Sequence, residues 1–273
     1  MSESSTGKST QLASPGAKFR AAVAAAHPRS CLPPHLPEPP RAGRLIVLAA
    51  GKAAGSMTEV AERHYLDAGF PAARLTGLAV TRHGYGRPTK QIEVVEAGHP
   101  VPDEAGEKAA HEILRRVKAL TASDRLLVLV SGGGSSLLTL PAEGISIDDI
   151  KTITKQLLTS GTPIQEMNIV RKHLSAIQGG RLAAACRAPV TALVISDVTG
   201  DDPTHIASGP CAPDTSTYQD ALDVIARHGV KAPKAIATAR GDTARRRPKP
   251  AREGAASVGG SARVSAMGTR ESA

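Results

Sequence analysis

Tryptophan is absent, and only two phenylalanines and three tyrosines occur in 273 residues. A core must therefore be built from Ala, Leu, Val and Ile, the residues of alternating strand–helix units. Three cysteines, Cys31, Cys186 and Cys211, are odd in number and show no CxxC spacing. That argues against a disulfide framework or a zinc site and predicts a reduced, cytoplasmic protein. No apolar run approaches the ~20 residues of a membrane span, and the Ser/Thr-rich start lacks the apolar segment of a secretory signal. No membrane partner is expected.

Two nucleotide signatures are missing as well. No glycine stands five residues before Gly51, and Lys52 is followed by alanine, so there is no Walker A loop. Leu137 occupies the place of the third glycine after Gly132 and Gly134, so there is no GxGxxG dinucleotide fingerprint. The net charge of +9 does not require nucleic acid either. Residues 240–273 hold eight Lys/Arg against three Asp/Glu, more than half of that excess, and they lack the aromatics that stack on bases.

What is present is organised around residues 126–138. Leu126 to Val130 are apolar without interruption and read as a strand buried on both faces. Ser131, Gly132, Gly133, Gly134, Ser135 and Ser136 follow at once. Glycines allow a tight turn and a close backbone approach, and successive amides beyond a strand's C-terminal end favour anions, phosphates above all. A flexible turn without a ligand fits the same glycines.

Further strands are expected at 44–50, 75–81, 92–96 and 189–196, and helices at 17–27, 103–120, 147–158 and 218–228, with Asp103 and Ser146 as caps and Gly229 as a stop. Residues 164–185 read as two short helices broken at Gly179-Gly180, and a further helix near Pro233. The six prolines between 28 and 40 predict an extended loop. The alternation predicts an α/β fold with a Rossmann-like parallel sheet and flanking helices. A domain is expected over 17–239, between a frayed start at 1–16 and a disordered basic tail at 240–273 that lacks Leu, Ile and aromatics.

In such a sheet the strand-end loops share one rim, which would collect Lys52, Arg82, Ser131 to Ser136 and Asp197. A lysine there can face phosphoryl oxygens, and an aspartate can take a proton from a hydroxyl or hold Mg²⁺. Taken singly, Lys52 reads first as a solvated loop residue, and Asp197 equally as a cap. Arg171, Lys172 and Arg181 can bind a carboxylate or phosphate but are ordinary surface charges by type. His99 reads as a loop residue, and His173 as a backbone support.

Together, Gly51-Lys52-Ala-Ala with Met57, Gly98-His-Pro-Val-Pro-Asp-Glu104, Ser131-Gly-Gly-Gly-Ser135, Asn168 with Val170-Arg-Lys-His-Leu-Ser175, Gly179-Gly180, Ser196-Asp-Val with Gly200-Asp-Asp, and Ala207-Ser-Gly-Pro210 closely resemble the class II glycerate 2-kinases, or MOFRL family, many of them labelled hydroxypyruvate reductases. The resemblance runs over about 42–238. It implies ATP and glycerate meeting in a cleft between two domains, with Mg²⁺, and phosphorylation of D-glycerate at its 2-hydroxyl. It places Lys52 and Asp197 at the reaction, Ser131, Gly132, Gly133, Gly134 and Ser135 in a phosphate loop, and Arg82, Arg171 and Lys172 among the substrate-binding cations. Beyond Thr238 the resemblance ends, and an arginine that the family draws from its second domain has no counterpart. This predicts a frameshift or early stop, and little turnover from this chain alone. The alternatives are an NAD(P)H-dependent hydroxypyruvate reductase and a non-catalytic remnant whose basic tail binds nucleic acid.

Overall fold

The structure, a computed structural model, describes residues 14–232 and 262–267. Most of the expected frayed start and the helix near Pro233 lie outside the described residues. Helix α1 (Pro15–Ala26) begins earlier than expected, because Ser14 caps it and Pro15 sits at its first turn. The proline-rich stretch departs from the expected extended loop. Pro28 starts a short helix α2 (Pro28–Cys31), and a 3-10 turn follows at Pro33–His35. Proline at a first helical position costs no hydrogen bond and is already set to helical φ, so these prolines nucleate turns rather than forbid them.

Strand β1 (Leu45–Ala50) leads to α3 (Ala54–Asp67), and β2 (Leu75–Arg82) and β3 (Ile92–Ala97) precede α4 (Glu104–Lys118). Strand β4 (Arg125–Ser131) is followed by the single turn α5 (Gly134–Leu137), then α6 (Ile147–Thr159), α7 (Ile164–His173) and α8 (Arg181–Ala184). Strand β5 (Val190–Ile195) precedes α9 (Tyr218–Arg227), and β6 (Ala262–Met267) comes last. All pairings are parallel, in the order β3-β2-β1-β4-β5-β6. Of the tail expected to be disordered, 262–267 instead extend the sheet, and the rest lies outside the described residues. The edge of β5 offers unpaired backbone groups that a sixth strand satisfies regardless of its composition.

The apolar runs fold as strands because both faces of the sheet are covered. Ile46, Leu48 and Ala50 pack with Val128 and Val130 beneath Ala110, Ile113 and Val117 of α4. Leu45, Val47 and Ala49 pack with Leu127 and Leu129 against Ala54, Met57 and Ala61 of α3. A third cluster lies beside the sheet, where Ile153, Leu157, Val170, Leu174 and Val224 join α6, α7 and α9. Asp103 caps α4 by accepting from the Gly106 amide, and Ser146 and Asp149 form a reciprocal cap on α6.

One buried carboxylate ties these layers together. Glu62 of α3 accepts from the amides of Lys90, Gln91 and Ile92 at the entry to β3, at 2.7, 2.7 and 3.0 Å. Each buried donor left without an acceptor costs about 1–3 kcal/mol. Glu62→Ala is expected to lower unfolding free energy by roughly 2–4 kcal/mol in denaturant titration, and a change near zero would show that water replaces the carboxylate.

Candidate active site at the switch point of the sheet

The order 3-2-1-4-5-6 reverses between β1 and β4, and the carboxyl ends of strands at such a switch point are where open α/β sheets bind ligands. The loops after β1 and β4 meet there. The Lys52 amide donates to the Gly132 carbonyl at 2.8 Å, and the Ala53 amide to Ser131 Oγ at 3.0 Å. Ser131 is buried, so its side chain braces the two loops and does not face solvent as the phosphate-loop expectation implied. Among the described residues nothing accepts from the amides of Gly133, Gly134 and Ser135, as at any helix start.

Asp197 follows β5 and comes to the same place. Its Oδ2 lies 3.1 Å from Lys52 Nζ, with both side chains nearly half exposed. The carboxylate occupies the volume a Cβ on residue 132 would need, so any larger residue there would have to displace Asp197. On the other side, a Cβ on Gly133 would stand 2.7 Å from His99 Nε2 and 3.1 Å from Lys52 Cγ. Gly133 itself has φ +83°, the left-handed region. Lys52, Asp197 and the glycine loop are thus brought together as the sequence led one to expect.

His99 is a site residue that single-residue reasoning passed over. Burial, then the positive charges of Lys52 and Arg82, hold its pKa below the usual histidine value, against a weaker opposing pull from Asp197. The imidazole is neutral at pH 7. The available signal was its place in the Gly98-to-Glu104 motif. Arg82, at the end of β2, lies over the Tyr85 ring at 3.7 Å, and its buried Nε has no hydrogen-bond partner among the described residues. Glu96 shapes the loop beyond it by accepting from the Gly84 and Gly86 amides.

A buried polar chain supports the far end of the loop. Ser135 Oγ meets Ser208 Oγ at 2.9 Å, Ser208 donates to Asn168, and Asn168 donates to the His205 carbonyl. Gln178 donates to the carbonyls of Ser135 and Leu138. Ala207 and Ser208 hold φ of 52° and 56°, a costly backbone for residues with a Cβ. Asn168, Gln178 and Ser208 carry no individual role in the reading of the sequence, because none is chemically distinctive by type.

The basic segment 171–181 divides. Lys172 is buried and paired with Asp214 at 2.7 Å, so its ammonium is structural and not free for substrate, contrary to expectation. His173 meets Ser216 and lies 3.6 Å from Asp214. Arg181 donates to the Lys172 carbonyl in the last turn of α7 and to the Gln178 carbonyl beyond it. Of these cations the Arg171 guanidinium alone has no hydrogen-bond or ionic partner among the described residues, and burial lowers its pKa.

Burial pushes Asp214 up, but Lys172 and Ser216 more than offset this and leave it below the usual carboxylate range. A depressed native pKa contributes stability above the unfolded value of about 3.9, lost as pH falls through the native value. Asp214→Ala is expected to cost about 3–5 kcal/mol at neutral pH by stranding Lys172, and the loss should shrink as pH drops below 4. Equal losses at pH 7 and pH 3, measured by denaturant unfolding, would contradict the pairing.

Among the described residues no helix is long and apolar enough to cross a membrane. Residues 16–240 match the family described as Domain of unknown function (DUF4147). A D-glycerate 2-kinase of Thermotoga maritima is 45% identical over 195 residues, 71% of this chain and 46% of that protein. A protein of Agrobacterium vitis, provisionally named a hydroxypyruvate reductase, is 48% identical over 217 residues, 79% of this chain and 48% of its own. The crystal structure of a glycerate kinase from Thermotoga maritima superposes with a TM-score of 0.74 at 37% identity, covering 90% of this chain and 56% of that one. The chain thus spans about half the length of these curated relatives. With that match over most of its length, the chain belongs to the DUF4147 family.

Proposed function

We propose that residues 17–239 form the nucleotide-handling domain of a cytoplasmic glycerate 2-kinase, transferring the terminal phosphoryl group of ATP to the 2-hydroxyl of D-glycerate. The observation that carries this is the Lys52–Asp197 pair set against Gly132 and Gly133 at the switch point. The glycerate kinases among the relatives support the choice of reaction.

In this reading the free amides of Gly133, Gly134 and Ser135 hold phosphate oxygens, and Lys52 offsets charge on the transferred group. Asp197 accepts the proton of the 2-hydroxyl as that oxygen bonds to phosphorus and the bond to the ADP oxygen breaks. Neutral His99 closes the loop's other side without adding a competing positive charge. Arg82 adds positive field at the rim. Among the described residues no cluster of three or more His, Cys, Asp or Glu could form a metal cage. As the alternative to its role as base, Asp197 is the carboxylate that would hold Mg²⁺, which would supply neutralisation of phosphate charge.

The relative named for hydroxypyruvate reduction, together with a strand order shared with dinucleotide-binding sheets, favours NAD(P)H as the second reading. Against it, Lys52 stands in the first strand–helix turn, and β2 ends in Arg82 rather than a ribose-binding acid. Calorimetric titration separates the two. ATP with Mg²⁺ should bind, and Lys52→Ala should weaken it roughly tenfold or more, the worth of a charged hydrogen bond. Gly132→Ala should weaken it as well by displacing Asp197. Saturable NADH or NADPH binding with no response to ATP would replace the kinase by the reductase.

A further inference from the structure

His99 stands in the site with its hydrogen-bonding capacity unspent. His173 and His228, elsewhere in the fold, are held by Ser216 and by Glu166. His99 is half-buried, and its ring makes no hydrogen bond or ion pair among the described residues. A close backbone approach places it nevertheless. A Cβ on Gly133 would stand 2.7 Å from its Nε2, 2.9 Å from its Cδ2 and 3.1 Å from Lys52 Cγ. The Nε2 edge of the ring thus lies against the first residue of the loop whose amide has no acceptor among the described residues, with the stem of Lys52 beside it.

Three charges act on this ring. Lys52 comes from the loop after β1, Arg82 from the end of β2 and Asp197 from the loop after β5. The residues of the glycine loop, 131–136, carry no charge of their own. Further along the same connection, His83 and Asp103 lie 3.6 Å apart. In the empty site burial and the two cations outweigh Asp197, and the ring is neutral. A polyphosphate on the amides of Gly133, Gly134 and Ser135 reverses that balance. It brings several negative charges to the backbone that the ring touches, and it offsets Lys52 at the same time. An opposite charge within about 4–6 Å favours the charged form of a titratable group by about one to three pH units.

We propose that His99 takes a proton from solvent when phosphate enters the loop and donates from Nε2 to a phosphate oxygen, so that anion binding and protonation are linked. The proposal rests on the phosphate reading of the loop. The ring stays neutral in the empty site, and its positive charge appears only with the anion that balances it. The sign follows from linkage. Binding raises the His99 midpoint above its free value, so the contribution to affinity is complete below the free midpoint. It falls by up to about tenfold per pH unit as pH rises from there to the bound midpoint, and is lost beyond it.

The test uses the full chain and inorganic tripolyphosphate without Mg²⁺. The His99 Cε1–H resonance is followed against pH in the unaltered chain, alone and with the probe at saturation. Its midpoint is expected to move up by about one pH unit or more, together with saturable shifts of the Gly133, Gly134 and Ser135 amides. In a second arm, calorimetry compares the parent with His99→Gln, whose amide donates a hydrogen bond but gains no proton. The ratio of parent to variant affinity should fall severalfold between about pH 6 and pH 8, because protonation of the probe itself is common to both. Loop amides that shift while the His99 midpoint stays in place overturn the proton link and leave the phosphate loop standing. Absence of both responses overturns the link and the phosphate reading together. A ratio that is flat with pH also refutes the proposal, and the first arm decides where His99→Gln does not fold.

Discussion

The carboxylate of Asp197 fills space that a β-carbon on residue 132 would occupy, and the rest of the site follows from that contact. Because the backbone there is bare, an acid from the end of β5 reaches across to the loop after β1. It sets its Oδ2 3.1 Å from the Lys52 ammonium. The same bareness one residue later admits His99 from the opposite side. Three strand ends and one long connection converge on a backbone segment whose amides have no acceptor among the described residues. The arrangement combines fixed partial charges, a cation and an acid at the place where the strand order turns back.

The rigidity this needs comes from neighbours that do no chemistry. Ser131 is inside the sheet, stitching the β1 and β4 loops. Ser208, Asn168 and Gln178 fasten the far side of the glycine loop to α7 and to a strained segment at 207–208. Buried networks of this kind stabilise a single geometry only when every member is satisfied. The basic residues sort by the same logic. Lys172 and Arg181 are committed to a buried ion pair and to backbone carbonyls, whereas Lys52 keeps a half-exposed ion pair with Asp197 and the half-buried Arg171 lines a cleft.

Much of the scaffold was legible because uninterrupted apolar runs of five to seven residues, such as Leu126 to Val130, have few folds open to them besides a strand covered on both faces. Lys52, Gly132 and Asp197 were legible because each stands directly after such a run, at a strand end. Strand order was not, since parallel pairing depends on crossovers that leave no local mark. Lys172 departs from the expectation it shared with its neighbour Arg171, because its ammonium is paired with Asp214. Helical geometry turns consecutive side chains about 100° apart, so one meets Asp214 inside and the other lines a cleft. The short helical turns within 28–35 were hidden by counting prolines without their positions. The strand at 262–267 was hidden by a composition typical of tails.

The central claim is that the bare amides after β4 grip phosphate. Nuclear magnetic resonance of ¹⁵N-labelled chain titrated with inorganic tripolyphosphate addresses it without any catalytic step. The account predicts the largest and saturable amide shifts at Gly133, Gly134 and Ser135, accompanied by Lys52. Shifts confined to the basic residues beyond 240, with the glycine loop unmoved, would contradict it.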